Sequence, residues 1–262
     1  MIEKENNTII ETLIDSYSQK IYNLAYHLTG NRQDAEDAVQ ETFIKVFSKL
    51  DTFKGESNIS TWIYRIAVNE SLKIVRKVNL DKSHFDWIDN QMENSAENVP
   101  AEVKELYNNP EKAYLLKILL NEIKEGCHHF MLFRITEEQR IAFIFRNILG
   151  FTYKEISRVL QADVGVIKSR LNRAKKNLQK HVKERCQWYN NKSTCTCEKC
   201  IGFALEYTSD LLTKIKEQID RPEYFQTAAD YINDVEDIEK VYKRLPLLQY
   251  KIQPLKNFLK KS

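Results

Sequence analysis

The segment that most constrains the fold is residues 152–178, TYKEISRVLQADVGVIKSRLNRAKKNL. It predicts two short amphipathic helices separated by a tight turn. Thr152 and Glu155, three residues apart, form a capping box that marks the start of the first helix. Asp163, after a turn at 161–163, is a favourable N-cap for the second helix. The apolar residues of each helix share one face: Ile156, Val159 and Leu160 in the first, and Ile167, Leu171, Ala174 and Leu178 in the second.

The opposite face of the second helix is polar and basic. Its residues are Lys168, Ser169, Arg170, Asn172, Arg173 and Lys176. Residues 164–185 contain eight Lys or Arg and one Glu. A helix that buries one side on a partner helix and presents cations on the other suits a DNA major groove. A solvated surface helix is the alternative interpretation, since basic helices are common.

Composition and charge narrow the class of protein. The chain has 262 residues, 42% hydrophobic and 29% charged, which indicates a globular protein with room for two small domains. The net charge is only +3, yet residues 80–111 contain eight acids and two bases. The N-terminus lacks a signal-peptide pattern, and no apolar stretch approaches membrane-spanning length. We therefore expect a cytoplasmic protein without membrane insertion.

Helical periodicity dominates the chain and strand patterns are scarce, so we predict an all-α fold. Two small helical domains, residues 11–78 and 111–185, are expected on either side of an acidic and mostly irregular linker, residues 79–110. Residues 186–262 are expected to form a Cys-containing helical extension, broken at Pro222 and Pro246. Asn31 is a predicted N-cap with Asp34 at the third helical position, and Thr136 with Gln139 predicts a further helix start.

The segment Thr61–Lys77 carries a second nucleic-acid pattern on one helix. Its predicted core face is Ile63, Ile66, Ala67 and Ile74, and its polar face is Arg65, Asn69, Lys73 and Arg76. Trp62 projects within the basic arc, which suits single-stranded nucleic acid because a base can stack on the indole. Stacking contributes about 1–3 kcal/mol per base. The alternative is that Trp62 packs against another helix.

Two blocks of the chain resemble the two conserved regions of bacterial sigma factors of the extracytoplasmic-function group. The first block, residues 28–77, contains DAEDAVQETF and STWIYRIA, and the second, residues 135–178, contains VGVIKSRLNRAKK. The resemblance covers about residues 11–185. It implies that the first block binds core RNA polymerase and melts the minus-ten promoter element. The second block is then expected to read the minus-thirty-five element, so promoter DNA is the second partner and an anti-sigma factor is a further candidate.

The resemblance also assigns residues. Asp34, Asp37, Gln40 and Glu41 correspond to the polymerase-binding helix, and the segment from Asp34 to Ile44 has four acids and no base, which suits a basic partner. A solvated acidic face is the alternative. The residues that correspond to the family's minus-ten contacts are Lys54, Ser57, Asn58, Trp62, Arg65, Asn69, Lys73 and Arg76. Minus-thirty-five contacts correspond to Lys168, Ser169, Arg170, Asn172, Arg173 and Lys176.

Four of five cysteines lie within fifteen residues, at positions 186, 195, 197 and 200, and the fifth, Cys127, precedes His128 and His129. Clustered thiols in a reducing compartment suggest metal binding before disulfides, and four soft ligands suit tetrahedral zinc. We predict Zn²⁺ or another thiophilic metal on Cys127, Cys186, Cys195 and Cys197, with Cys200, His128 or His129 as alternative ligands. Thiol redox sensing and unliganded thiols stay open. The arrangement is similar to a subset of the same family with a C-terminal Cys-x-Cys motif.

These patterns support three classes of function unequally. The sigma-factor interpretation accounts for both helical blocks. For a sigma factor we expect no catalytic residues and no cofactor requirement for promoter recognition. A stand-alone metal- or redox-responsive helix-turn-helix regulator would not need the acidic block. An enzyme is disfavoured, because the five His and the scattered acids form no recognisable nucleophile–base set, and the cysteines lack the H-x-E partner of a deaminase.

Overall fold

The computed structural model of the chain describes residues 2–53, 55, 58–78, 90–91, 101–109, 113–187, 190, 192–193, 195–197, 200–201, 204, 237–243, 245 and 247–259. Regular structure in these residues is helical, apart from one isolated bridge between Cys186 and Cys195. The predicted all-α fold is confirmed. None of the helices in this described part of the chain has both the length and the apolar character of a membrane span.

The first three helices are α1 (Ile2–Thr29), α2 (Arg32–Lys49) and α3 (Ile59–Val78), with a 3₁₀ turn at Leu50–Thr52. Next come α4 (Ala101–Asn108), α5 (Ala113–Leu132) and α6 (Glu137–Phe143), and a π-helical turn, Ile144–Ile148, continues from α6. Further along the described part of the chain lie α7 (Tyr153–Leu160), α8 (Val164–Arg185), α9 (Ile238–Lys243) and α10 (Ile252–Leu259).

The chain divides into two compact units. Met1–Asn79, Thr136–Ala174 and Pro246–Ser262 form the first, and Leu80–Ile135 and Lys175–Leu245 form the second. The domain boundaries at residues 78, 110 and 185 stay sequence-based predictions.

The core of the first unit is a three-helix arrangement in which α1, α2 and α3 pack on one another. Leu24, Phe43 and Ile63, one from each helix, are fully buried. Asn31 caps α2 as predicted, because its side-chain oxygen accepts a hydrogen bond from the Asp34 N–H at 2.8 Å. The three helices therefore form one apolar core that fixes the direction of α3.

The predicted core face of α3 is partly wrong. Ile63 and Ala67 are buried, but Ile66 and Ile74 are only half-buried. Tyr64 is buried instead, and its ring meets Phe145 and Phe151 edge-on at 5.9 and 4.9 Å between centroids. A helical wheel assumes one covering layer, whereas α3 is also covered by α7 and by the segment around the π-helical turn.

The helix-turn-helix formed by α7 and α8 matches the prediction closely. Thr152 and Glu155 form the reciprocal capping box, and Gln161 ends α7 in the left-handed conformation with φ 50°. The predicted core residues are buried, namely Ile156, Val159, Ile167, Leu171, Ala174 and Leu178, while Leu160 is half-buried. Burial of this face leaves the basic side of α8 outward.

Two predicted segments contain both helical and non-helical residues. The predicted irregular linker contains α4, and the sequence explains this through Val103, Leu106 and Tyr107, which recur at helical spacing. In the predicted helical extension, residues 247–251 are non-helical and α10 follows them. The predicted helix breaks at Pro222 and Pro246 lie outside the described residues.

Candidate nucleic-acid interface and thiol cavity

The basic face of α8 is open to solvent. Lys168, Asn172, Arg173 and Lys176 are exposed, and Ser169 and Arg170 are half-buried. Arg173 Nη2 donates to Ser169 Oγ at 2.8 Å, and the Lys168 ammonium lies 5.5 Å from the centre of the Tyr153 ring. Because the opposite face of α8 is buried, the charged groups point outward together and can reach phosphates.

Arg65 is engaged by its own chain. Its Nη2 donates to the carbonyl oxygen of Arg158 at 2.5 Å and its Nε donates to that of Val159 at 3.2 Å. Both carbonyls lie in the last turn of α7, where carbonyl oxygens have no partner within the helix. A cation is favourable at this negative end of the helix dipole. The guanidinium predicted to meet the minus-ten element therefore holds α7 against α3.

Arg76 makes a bidentate ion pair with Glu137 on α6. The distances are 2.6 Å from Nη2 to Oε1 and 3.3 Å from Nε to Oε2. These hydrogen bonds raise the pKa of Arg76 above its ordinary value. The Arg76 side chain is nevertheless 64% exposed. An ion pair open to water exchanges partners at little cost, so a phosphate can replace Glu137.

Lys73 belongs to a small charge network centred on the buried residue Glu70. Lys45 from α2 lies 2.5 Å and Lys73 lies 3.1 Å from the Glu70 carboxylate. Burial alone would raise the pKa of Glu70, but hydrogen bonds from Lys45 and Lys73 outweigh burial and the pKa lies below its ordinary value. Glu70 thus stays ionised and fastens α2 to α3.

The remaining minus-ten candidates differ in their surroundings. Trp62 is half-buried and tilted against Phe53, with 5.2 Å between ring centroids, and Asn69 is exposed. Asn58 Oδ1 accepts hydrogen bonds at 3.1 Å from both the N–H and the Oγ of Ser60, so this residue already supports the start of α3. Lys54 and Ser57 lie outside the described residues.

The candidate polymerase-binding face of α2 exposes acidic side chains to solvent. Asp37 and Glu41 are exposed, and Gln40 is half-buried. Asp34 is half-buried and its Oδ2 accepts a hydrogen bond from Asn31 Nδ2 at 2.6 Å, in addition to the cap. Asp37 and Glu41 therefore present the negative charge, while Asp34 partly serves the helix start.

The five cysteines line one cavity of about 300 Å³ within the second unit. Cys127 enters from α5, Cys186 follows the end of α8, and Cys195, Cys197 and Cys200 come from the segment after it. Cys195 Sγ and Cys200 Sγ are 3.8 Å apart. His128 also lines the cavity, whereas His129 packs beside Phe133 with 6.1 Å between ring centroids. Folding therefore brings together thiols from three separated segments.

The surroundings of these groups favour their neutral forms. Burial raises the pKa of the Cys127 thiol well above its ordinary value. The hydrogen bond with Cys195, followed by burial, raises the pKa of Cys200. Burial lowers the pKa of His128 to about 4, and its carbonyl oxygen accepts a hydrogen bond from Tyr242 Oη at 2.9 Å. A cation in the cavity would be needed to favour thiolates.

The cavity fits a thiophilic metal in ligand type and only partly in geometry. Zinc–sulfur bonds of about 2.3 Å in a tetrahedron place two sulfurs about 3.8 Å apart, which agrees with the separation of Cys195 and Cys200. Across the described residues, however, no three His, Cys, Asp or Glu side chains already lie close enough to share a metal ion. Metal binding would therefore require the thiols to converge.

Several residues that shape these surfaces were not predicted from the sequence. Glu70 had a detectable signal, since it lies three residues before Lys73 on the same helix. The pairing of Arg76 with Glu137 and the contacts of Gln19 and Asn23 with Leu248 join distant parts of the chain. No local pattern could reveal them.

Comparison with known proteins agrees with the two-block organisation. Residues 13–79 match the family described as sigma-70 region 2, and residues 131–178 match sigma-70, region 4. The chain is 30% identical over 185 residues to the ECF RNA polymerase sigma-E factor of Escherichia coli, covering 69% of this chain and 90% of that protein. It is 28% identical over 190 residues to the ECF RNA polymerase sigma factor SigW of Bacillus subtilis, covering 70% and 94%.

Solved structures give a weaker likeness. CnrH, solved in complex with the cytosolic domain of CnrY, is 17% identical, with a TM-score of 0.45 over 67% of this chain and 88% of that chain.

Proposed function

The chain belongs to the extracytoplasmic-function group of sigma-70 RNA polymerase sigma factors, non-enzymatic proteins that direct transcription initiation, and we propose how its own residues divide that work. Residues 11–78 bind core RNA polymerase and the minus-ten element, and residues 111–185 bind the minus-thirty-five element. The main support is the orientation of α8, whose apolar face is buried while Arg173 and Lys176 are exposed.

Polymerase binding is assigned to the exposed acids of α2. Asp37 and Glu41 face solvent from a helix that is firmly packed through Ala38, Phe43 and Val46. A rigid helix that presents carboxylates suits a basic partner surface, because charge complementarity raises the association rate. Gln40 and Asp34 complete the proposed contact at its edges.

Minus-ten binding is assigned to α3, and it requires rearrangement of the chain. Arg65 is hydrogen-bonded to the carbonyl oxygens of Arg158 and Val159, and Arg76 is paired with Glu137. Phosphates must replace these partners before both guanidinium groups can meet DNA. We infer that the free chain is a closed form and that promoter binding separates α3 from α6 and α7.

The thiol cavity is proposed as a metal site that controls the chain. The support is the placement of all five cysteines on one cavity and the 3.8 Å separation of the Cys195 and Cys200 sulfurs. A thiophilic cation would supply the charge that stabilises thiolates at Cys127, Cys186, Cys195, Cys197 or Cys200. We place the protein in the cytoplasm, where such thiols stay reduced.

Elemental analysis of protein purified without chelator tests the metal proposal. We expect about one metal ion per chain, as for a single four-ligand cluster. Replacement of Cys195 and Cys200 by Ser should remove it. If the wild-type chain carries no metal after growth in metal-replete medium, the site proposal fails. Unchanged promoter-specific transcription after chelation would remove only the control role.

Binding to core RNA polymerase tests the main assignment. Asp37→Arg should abolish capture of core polymerase, because it reverses charge at the centre of the exposed acidic face. Asp51→Arg, an equally large charge change at another exposed position, is the matched control. Both variants should keep the wild-type helical content. Undiminished core binding by Asp37→Arg would contradict the assignment of α2.

A further inference from the structure

The first turn of α8 exposes an apolar side chain on the side of the helix that carries the basic groups. Val166 is 43% exposed, whereas the next residue, Ile167, is fully buried. The helix begins at Val164, and the Ile167 N–H donates to the Asp163 carbonyl oxygen at 3.0 Å. Val166 is therefore held within the first helical turn, and its side chain points away from the buried face of α8.

Val166 is the first member of an outward row of side chains along α8. Residues three and four positions apart are neighbours on a helix, so Val166, Ser169 and Arg173 follow one another on this side. The Arg173 Nη2 donates to Ser169 Oγ at 2.8 Å, which shows that two members of the row lie together. Lys176 continues the row and is exposed. The row thus begins with an apolar group and ends with cations.

Gly165 lies beside Val166 and keeps the surface of the helix low at this point. It is exposed, and a methyl group added to its Cα would meet no other atom within 4 Å. Its backbone is helical, without a positive φ, so its conformation does not require glycine. Gly is less favourable than Ala within a helix, and one use of Gly is to let a ligand approach the backbone closely. These properties indicate a partner that approaches the first turn of α8 from outside the chain.

The charges beside this turn fit nucleic acid as that partner. Lys168 and Arg170 lie on either side of the outward row, because successive residues of a helix turn by a little less than a third of a revolution. When a helix enters the major groove, residues near its N-terminus contact base edges, and cations contact phosphates. The apolar group that base pairs present in this groove is the methyl group on C5 of thymine, which apolar side chains contact.

We propose that Val166 is a specificity-determining residue that contacts the methyl group of a thymine in the minus-thirty-five element, and that Gly165 allows the close approach this contact needs. The proposal rests on the assignment of α8 to promoter DNA. It adds an apolar contact to the polar and charged contacts assigned to Arg173 and Lys176. A base without the methyl group leaves the Val166 side chain uncovered, so the contact favours thymine.

Binding of the holoenzyme to promoter duplexes that contain deoxyuridine tests the contact. The duplexes come from promoters that the full chain and core RNA polymerase transcribe. Each thymine of the minus-thirty-five element, on either strand, is replaced singly by uracil, which removes one methyl group and keeps the base pair. The wild-type holoenzyme should lose about fourfold in affinity at one position, the factor that corresponds to burial of one methyl-sized group.

The Val166→Ala variant tests whether Val166 makes this contact. Holoenzyme that contains the variant should bind the thymine and uracil duplexes equally at that position, because the apolar contact is already lost. Leu247→Ala, at a residue that is 50% exposed elsewhere on the chain, is the control and should keep the full difference between the duplexes. The proposal is overturned if that difference persists in Val166→Ala, or if the wild type shows no position that depends on the methyl group.

The Gly165→Ala variant tests the close approach. The added methyl group should weaken promoter binding by about fourfold or more, since it holds the helix away from the bases and the Val166 contact is lost. The variant should be at least as stable as wild type, because Ala is favourable within a helix and the space around Gly165 is open. Gly126→Ala makes the same change at an exposed position of α5 that also faces open space, and it should leave promoter binding unchanged. Wild-type promoter affinity of Gly165→Ala would contradict the close approach.

Replacement of the whole minus-thirty-five element separates this inference from the proposed function. If the wild-type holoenzyme is insensitive to that replacement, the assignment of α8 to the element fails, and the Val166 contact fails with it. If the holoenzyme depends on the element but binds thymine and uracil alike at every position, only the Val166 contact fails.

Discussion

Arg65 on α3 donates from Nη2 to the carbonyl oxygen of Arg158, at 2.5 Å, in the last turn of α7. One side chain is therefore assigned two incompatible tasks: it caps a helix of the minus-thirty-five block in the free chain, and it meets promoter DNA in the complex. Arg76 follows the same pattern with Glu137. Two guanidinium groups of the surface proposed to read the minus-ten element thus already have hydrogen-bond partners within the chain.

Removing a competing carboxylate should strengthen DNA binding by the free chain. Glu137→Gln takes away the anion that holds Arg76, so the affinity for single-stranded minus-ten DNA should rise. The measurement is a titration with labelled oligonucleotide at two salt concentrations. Asp51→Asn, which removes one negative charge at an exposed residue of the 3₁₀ turn, is the control. Equal affinities for Glu137→Gln and wild type would contradict the closed form.

Glu70 should make the free energy of unfolding depend on pH in one direction. Its pKa in the folded chain lies below the ordinary 4.5, so its contribution is present above that value and is lost as pH falls through the folded pKa. Glu70→Gln should lower the free energy of unfolding at pH 7 by about 1.5–3 kcal/mol, the size of hydrogen bonds to charged groups. Urea unfolding should show this difference shrinking below pH 4.5. A difference that is constant with pH would argue against an ionised, paired Glu70.

The exposed cations of α8 should affect promoter binding in two distinguishable ways. If Lys176 contacts a phosphate, Lys176→Ala should reduce the slope of log affinity against log salt by about one. If Arg173 pairs with a base, Arg173→Ala should lose about 1–3 kcal/mol of discrimination at one base position. Lys243→Ala removes an exposed charge elsewhere and should change neither quantity. Wild-type use of a minus-thirty-five-dependent promoter by both α8 variants would contradict the orientation assigned to α8.

Trp62 should act at the melting step. It is half-buried against Phe53, so part of its ring is available to an unstacked base. Trp62→Ala should therefore impair open-complex formation more than closed-complex binding, as measured by permanganate reactivity and by band shift. Phe53→Ala, which removes the ring beside it, separates loss of packing from loss of stacking. Equal losses in both complexes for Trp62→Ala would favour a packing role.

The helices that could be predicted from the sequence are those with local signals. The capping box at Thr152 and Glu155, the cap at Asn31 and the buried face of α8 all depend on residues within a few helical turns. Such patterns can be read from the sequence because residues that are three or four positions apart lie next to each other on a helix. This part of the fold also carried the resemblance to the family.

Other features could not be predicted because they depend on residues far apart in sequence. Tyr64 is covered by Tyr17, Phe145 and Phe151, and Arg65 caps α7 because that helix ends against α3. The convergence of Cys127 on Cys186 was suggested by their flanking positions, but the close pairing of Cys195 with Cys200 was not. The extended segment before α10 is hydrogen-bonded by Gln19 and Asn23, which lie far earlier in the sequence.

Run-off transcription with purified core RNA polymerase tests the sigma-factor function most directly. The full chain, added to core polymerase and a library of promoter templates, should yield transcripts from a defined subset with a common start site. Core polymerase alone should not initiate at that site. Adding the Asp37→Arg variant should not produce these transcripts either. Tight binding of the chain alone to a specific operator, with no specific initiation on any template when core polymerase is added, would contradict this function.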